Sequence, residues 1–266
     1  MAKPDDIASL SSSIDAFHKG SFYLKQPKDY GHRAGIDAML LASLVPKDAS
    51  GHLADLGAGA GAAGLAVAYR SNINVTLVEA SPVMADYARQ TLGLKENENM
   101  HARCRVLEAD VELSGQARVA AGFEDNKFGH VIMNPPFNEM RDRMAPDALK
   151  AQAHAMSGED LFDKWIKTAV AICRPQGQLS LIARPSSLHK ILSACEGRFG
   201  GIELTSVLPT QNDDSIRILL TGLKGSKARM VLRPSIIMHE DDENAVRRYT
   251  QIADDLINGI AFWSRR

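Results

Sequence analysis

Asn134-Pro135-Pro136-Phe137 places a side-chain amide, two prolines and an aromatic ring directly after the apolar run Val131-Ile132-Met133. The prolines remove two N–H donors and fix two φ angles, and each drives its predecessor toward extended geometry. The result is a rigid turn rich in acceptors. The Asn134 side-chain oxygen and the Pro135 carbonyl can accept both N–H bonds of a planar amine, while Phe137 can stack on a base taken out of its stack. An exocyclic base amine is a poor nucleophile because its lone pair is delocalised into the ring. Two fixed acceptors favour a tetrahedral nitrogen whose lone pair points at an electrophile, and such transfer depends on positioning and preorganised dipoles. Asn134, Pro135 and Phe137 are thus the expected catalytic residues. The plainer alternative is a loop whose Phe137 only packs in the core.

A second cluster lies upstream in "ADLGAGAGAAGLA", residues 54–66, with glycines at 57, 59, 61 and 64. Glycines between a strand and a helix let a ligand lie on the backbone. Gly59, Gly61 and Gly64 form a G-x-G-x-x-G, and Glu79 follows Gly59 by 79 − 59 = 20 residues, a spacing that suits a carboxylate on ribose hydroxyls. NAD and S-adenosylmethionine both fit this pattern. Asp55 favours the second, because its charge repels a pyrophosphate and attracts an amino-acid ammonium group. The proline turn, for which a nicotinamide enzyme has no use, points the same way. Asp110, in "EAD", ends the next strand, where an adenine amino group can be bound. A helix cap or a solvated loop residue is the other reading of Asp110.

These residues must be held by a scaffold. The apolar periodicities predict strands at 52–57, 74–80, 102–110, 128–134, 178–184, 201–209 and 215–225. They predict helices at 35–45, 62–70, 81–94, 158–173 and 185–199, with Ser81 as N-cap and Pro82 in the first turn of the third. Alternating strands and helices give an α/β fold with a doubly wound, mostly parallel, seven-stranded Rossmann-like sheet. The short link "TQNDD" leaves no room for a crossover helix, so the last strand is expected to be antiparallel. Residues 1–30 read as an N-terminal tail or extension. Residues 31–266 read as a single domain with a substrate loop at 138–157 and a C-terminal helix.

Composition bounds the function. The chain has 266 residues, 45% hydrophobic and 24% charged, with a formal net charge of −1. No global basic field marks a nucleic-acid binder, and local patches stay open. Three scattered cysteines, Cys104, Cys173 and Cys195, fit a reducing compartment and lack metal spacing. No signal segment and no apolar run near the ~18 residues of a membrane span are legible. A cytoplasmic protein without a metal or a membrane partner is expected. Cations gather at Lys224, Lys227, Arg229 and Arg233, and at Arg141, Arg143 and Lys150 after the proline turn. They are candidate RNA contacts, because backbone phosphates need local charges; a solvated face is the alternative. His154 reads as a structural or RNA-contact residue, since an aromatic amine needs little help from a base.

The two motifs resemble those of class I S-adenosylmethionine-dependent methyltransferases of the N-P-P-[FYW] type, which act on base amines or glutamine amides. More narrowly, "LKQPKDYGHRAGIDAMLLASLV" (24–45) and the "RPSSL" to "RPSIIMHE" region (184–240) are similar to the bacterial tRNA1(Val) adenine-N6 methyltransferase family. The resemblance implies S-adenosyl-L-methionine as cofactor, held by Gly57, Gly59, Gly61, Glu79 and Asp110, with Arg33 and Asp37 near its methionine end. It implies tRNA as partner and N6-methylation of an adenine. Guanine N2 of ribosomal RNA or a protein glutamine are the alternatives. Asp213 and Asp214 depart from the pattern, since two acids there repel phosphate.

Overall fold

The computed structural model describes residues 11–28, 33–136, 161–241 and 248–266. The chain begins with strands β1 (Ser12–Phe17) and β2 (Phe22–Pro27), then helix α1 (Ile36–Ser43). A first run of βα units follows: β3 (Ser50–Leu56), α2 (Ala62–Arg70), β4 (Asn72–Glu79), α3 (Pro82–Leu92), α4 (Glu98–His101), β5 (Cys104–Glu108) and α5 (Gly115–Ala120). The second run is β6 (Phe128–Met133), α6 (Leu161–Ile172), β7 (Cys173–Ala183), α7 (Leu188–Cys195), β8 (Phe199–Leu208) and β9 (Arg217–Lys224). Two short strands, β10 (Val231–Leu232) and β11 (Ile236–Ile237), and helix α8 (Gln251–Ile257) close the chain.

The main sheet has the order β10-β8-β9-β7-β6-β3-β4-β5, with β11 also on β8. β3, β4, β5, β6 and β7 are mutually parallel along this order, and β9 runs antiparallel between β7 and β8. The seven expected strands are therefore present, with the antiparallel member where the short link required it. The β strands are near-continuous apolar runs because helices cover both faces. One core layer joins β3 and β4 to α1, α2 and α3 through Leu41, Leu65, Leu77 and Tyr87; the other joins β6 and β7 to α6 and α7 through Ile166, Leu179 and Ile191. Ser81 Oγ accepts from Met84 N at 3.4 Å, so the expected N-cap of α3 is in place.

Residues 12–27 are not a loose tail. β1 and β2 form an antiparallel hairpin, from Ser12 opposite Pro27 to Phe17 opposite Phe22. Phe22 and Leu24 are fully buried. Side chains of the main domain stitch the outer edge of β2: Asn97 Oδ1 accepts from Tyr23 N at 3.0 Å, and Thr91 Oγ1 accepts from Lys25 N at 3.0 Å. Edge groups that would otherwise lack partners are thus satisfied by Asn97 and Thr91, both wholly buried. α5 is a further element that no periodicity announced. Among the described residues, no helix is long and apolar enough to cross a membrane.

Candidate active site

Leu56 and Met133 are paired in the parallel β3–β6 register, so Gly57 and Asn134 leave adjacent strands side by side. The chain passes from β3 to β4 and β5 on one side, while β6 and β7 lie on the other. That is the topological switch of an open α/β sheet, where ligands bind beyond the carboxyl ends of the strands.

The glycine turn is built by backbone bonds that need no side chain. Gly57 N and Ala58 N both donate to Val78 O at 2.9 Å. Gly57, Gly59 and Gly61 have φ of +72°, +56° and +98°, left-handed values that L side chains rarely adopt. A Cβ on Gly57 would lie 2.5 Å from the Trp165 ring, and one on Gly61 2.8 Å from Leu77 Cδ1. A Cβ on Gly64 would lie 2.4 Å from Leu77 Cδ2 and 3.1 Å from Asp55 Oδ2. Gly59 differs: a Cβ there would meet nothing closer than Met84 Cε at 3.8 Å. Three of these glycines are closed off by packing, and Gly59 presents open backbone.

Glu79, at the end of β4, ties that backbone down. Its Oε2 accepts from Gly59 N and its Oε1 from Ser81 N, each at 2.8 Å. Each carboxylate oxygen keeps a lone pair, enough for the hydroxyls of a ribose. Asp55 is 3% exposed, and its Oδ2 accepts from Gly64 N at 2.8 Å. Burial pushes its carboxyl up to about 7; the Gly64 N–H opposes that shift and the neighbouring Glu79 charge adds to it. A cation brought near would restore the charged form.

Asn134 is half-buried, and its Oδ1 is a buried atom without a hydrogen-bond partner among the described residues. Such an oxygen is costly to leave unsatisfied, and here it sits one residue past a core strand, level with the glycine turn. Pro135 is buried and Pro136 exposed. Phe137, Arg141, Arg143, Lys150, His154 and the expected substrate loop 138–157 lie outside the described residues.

Other expected residues have different surroundings. Asp110 is exposed, and its Oδ1 accepts from Glu112 N at 2.8 Å in the loop after β5. Arg33 is directed at the hairpin: its guanidinium donates to Asp15 Oδ2 at 2.6 Å and to Ser13 Oγ at 3.0 Å. Asp37 Oδ2 accepts from Arg217 Nε at 2.8 Å. Arg233 is a correction to the expected RNA face. Its side chain is 8% exposed and bonds Glu203, itself 10% exposed, with the Trp263 ring 5.6 Å away. It neutralises a buried acid. Lys224, Lys227 and Arg229 stand at the far end of the sheet from Asn134. Antiparallel β9 carries Lys224 to the level of Phe199, where β8 begins. Trp165, packed on Gly57, is the site residue missed in the sequence. Its helix was legible, but nothing local marks which face meets the glycine turn.

The switch-point crevice, its glycine turn tied to Glu79 and the Asn-Pro-Pro turn beside it define a class I, S-adenosylmethionine-dependent methyltransferase. Residues 31–205 match the model of the methyltransferase small domain, and the chain belongs to that family. It is 27% identical over 194 residues to a tRNA1(Val) (adenine(37)-N6)-methyltransferase of Shewanella sp. (strain W3-18-1), covering 71% of this chain and 76% of the relative. The crystal structure of a predicted O-methyltransferase, protein Atu636 from Agrobacterium tumefaciens, is 47% identical with a TM-score of 0.75, covering 86% of this chain and 99% of that one. The Thermus thermophilus 16S rRNA N2 G1207 methyltransferase, solved with AdoMet and guanosine, shares the fold at 18% identity and a TM-score of 0.51, covering 80% of this chain and 50% of that one.

Proposed function

We propose that this protein methylates the N6 amine of an adenine in tRNA, in the cytoplasm. The observation that carries the reading is the buried Asn134 Oδ1, unpartnered among the described residues and level with the start of the glycine turn at Gly57. S-adenosylmethionine supplies an electrophilic methyl group on a sulfonium. Gly59, Glu79 and Asp55 are the residues that would hold it: backbone for close approach, a carboxylate for ribose hydroxyls and a buried acid for the ammonium group. Asn134 Oδ1 and the Pro135 carbonyl accept the N–H bonds of the amine and keep its lone pair directed. The prolines hold both acceptors without reorganisation, which is how preorganised dipoles lower a barrier. Phe137 is assigned to stacking on the base.

The solved relative is described as a predicted O-methyltransferase. An oxygen nucleophile carries a proton that a base must remove, and a carboxamide such as Asn134 accepts hydrogen bonds but not protons. That chemistry favours nitrogen over oxygen. The name of the Shewanella relative supports tRNA and adenine over guanine. The test is transfer of labelled methyl from S-adenosylmethionine to tRNA lacking the modification, followed by digestion and mass spectrometry of nucleosides. N6-methyladenosine is the expected product. N2-methylguanosine, or label only in a glutamine-containing peptide, would replace the substrate assignment.

A further inference from the structure

Ala54, Leu56 and Val78 share a buried cluster with Phe123, Phe162 and Trp165. The registers His52–Asn74, Ala54–Thr76 and Thr76–Arg105 show that the same sheet face continues toward the amino ends of the strands as His52, Asn74, Thr76 and Arg105. There it opens as a cleft of about 270 Å3, which Arg103 and Lys127 also line. Arg105 Nε donates to Thr76 Oγ1 at 3.0 Å, which fixes its guanidinium in the cleft. The Arg103 guanidinium donates to three neutral carbonyls, of Ala68, Ser71 and Ile73. Among the described residues, neither guanidinium forms an ion pair; Lys127 pairs with exposed Glu124, a carboxylate on which the Arg105 and His52 charges also act. Arg105 and Lys127 thus share one acid, with Arg103 on the wall, in a chain whose net charge is −1.

We propose that this cleft binds a phosphate group. Resting on the RNA reading above, the group is a backbone phosphodiester of the substrate; a free phosphate is the other source of the same chemistry. Hydrogen-bonding Asn74 and Thr76 flank the cations, as phosphate recognition requires. The location also gives the distant basic segment a use. Lys224 Nζ donates to Asn126 Oδ1 at 2.7 Å and to Cys173 O at 2.8 Å, which sets residues 224–229 at the same end of the sheet as Lys127. Exposed Lys227 and Arg229 extend the field of the cleft. Lys127 lies seven residue steps before Asn134 along β6, roughly 23 Å, a span that a structured RNA covers.

The test uses the full chain, an Arg105→Gln/Lys127→Gln variant and a charge-keeping Arg105→Lys control. Inorganic phosphate should raise the thermal midpoint of wild type above that in chloride at equal ionic strength, and the double variant should lose this shift. By anisotropy with labelled bulk tRNA at low salt, the double variant should bind about tenfold more weakly, and its salt slope should fall by about two. Arg105→Lys should retain most of the affinity, and S-adenosylhomocysteine binding should not change in any variant. Loss of the phosphate shift with unchanged tRNA affinity assigns the cleft to free phosphate and rejects the RNA source. No phosphate shift in wild type, with wild type and double variant binding tRNA alike, overturns the site and leaves the RNA reading standing. A wild type that fails to bind tRNA but keeps the phosphate shift overturns the RNA reading alone.

Discussion

At the scale of single residues, the site divides into groups that hold the fold and groups that face a ligand. Asn134→Ala removes an acceptor needed most as the amine becomes tetrahedral. Turnover should fall by ~10²–10³ with S-adenosylhomocysteine affinity nearly unchanged; single-turnover rates and calorimetry separate the two, and wild-type turnover would return the proline turn to a structural role. The glycines make a sharper contrast. Gly64→Ala drives a methyl into Leu77 and Asp55, so urea unfolding should show a loss of about 1–3 kcal/mol. Gly59→Ala meets open space, so its damage should appear in cofactor affinity, with only the strain of a left-handed φ, about 1 kcal/mol, on stability. Asp55 gives a pH signature. Its folded carboxyl is raised to about 7, chiefly by burial, so its contribution to stability is full below the unfolded value near 4 and is lost as pH rises through 7. Asp55→Asn does not titrate. Denaturation from pH 4 to 8 should show the variant gaining on wild type across that window, while its affinity for the ammonium-bearing cofactor declines.

At the scale of elements, the β1–β2 hairpin is held by one turn and a few side-chain stitches. His18 and Lys19 both occupy left-handed φ, 47° and 55°. Buried His18 packs edge-on to Phe22, and neither ring nitrogen has a hydrogen-bond partner among the described residues. Burial first, and the Arg70 charge second, lower its pKa to about 4. A lowered histidine contributes stability above its unfolded value near 6.5 and loses it as pH falls toward 4. Hydrogen-exchange protection factors in Phe22–Pro27, with the intrinsic pH dependence of amide exchange divided out, should therefore fall between pH 7 and pH 5, and His18→Phe should remove most of that fall. The Asp55 contribution runs in the opposite direction in this range, so the local measurement is the informative one. Unaltered protection factors across that range would show that His18 does not anchor the hairpin.

At the scale of the whole molecule, the direction of β9 decides what the basic residues can do. Arg233 is locked to Glu203, and Arg265 Nη2 lies 3.5 Å from the same carboxylate. Removing one member of a buried pair typically costs about 3–5 kcal/mol, so Arg233→Met should unfold at clearly lower urea, with any loss of RNA binding following the loss of fold. Lys227→Ala/Arg229→Ala should leave stability within about 0.5 kcal/mol of wild type. Its effect should be a weaker, less salt-dependent affinity for tRNA with turnover at saturating tRNA preserved. Equal urea midpoints for the two variants would contradict the division drawn between them.

The sequence by itself determined the α/β class, most of its strands and helices and the two motifs that meet at the switch point. All of these rest on short-range rules: hydrophobic period, glycine at forced positive φ, proline in a fixed turn and an acid at a set distance from a glycine. Gly59 and Glu79 are twenty residues apart, and their 2.8 Å bond follows from one β-turn-α-β unit. What the tertiary structure decided rests on contacts between remote segments. The hairpin was illegible because its partners, Thr91 and Asn97, lie 66 and 74 residues away. The family resemblance places Arg33 near the cofactor, and its bond to Asp15 stays hidden in the sequence because Asp15 belongs to that unseen hairpin. Asp37 meets Arg217 across 180 residues, and Arg233 meets Glu203 across the edge of the sheet. A charge pattern in sequence does not reveal burial, and a strand pattern does not reveal direction. Only the antiparallel insertion of β9 between β7 and β8 sends Lys224, Lys227 and Arg229 to the end of the sheet opposite Asn134.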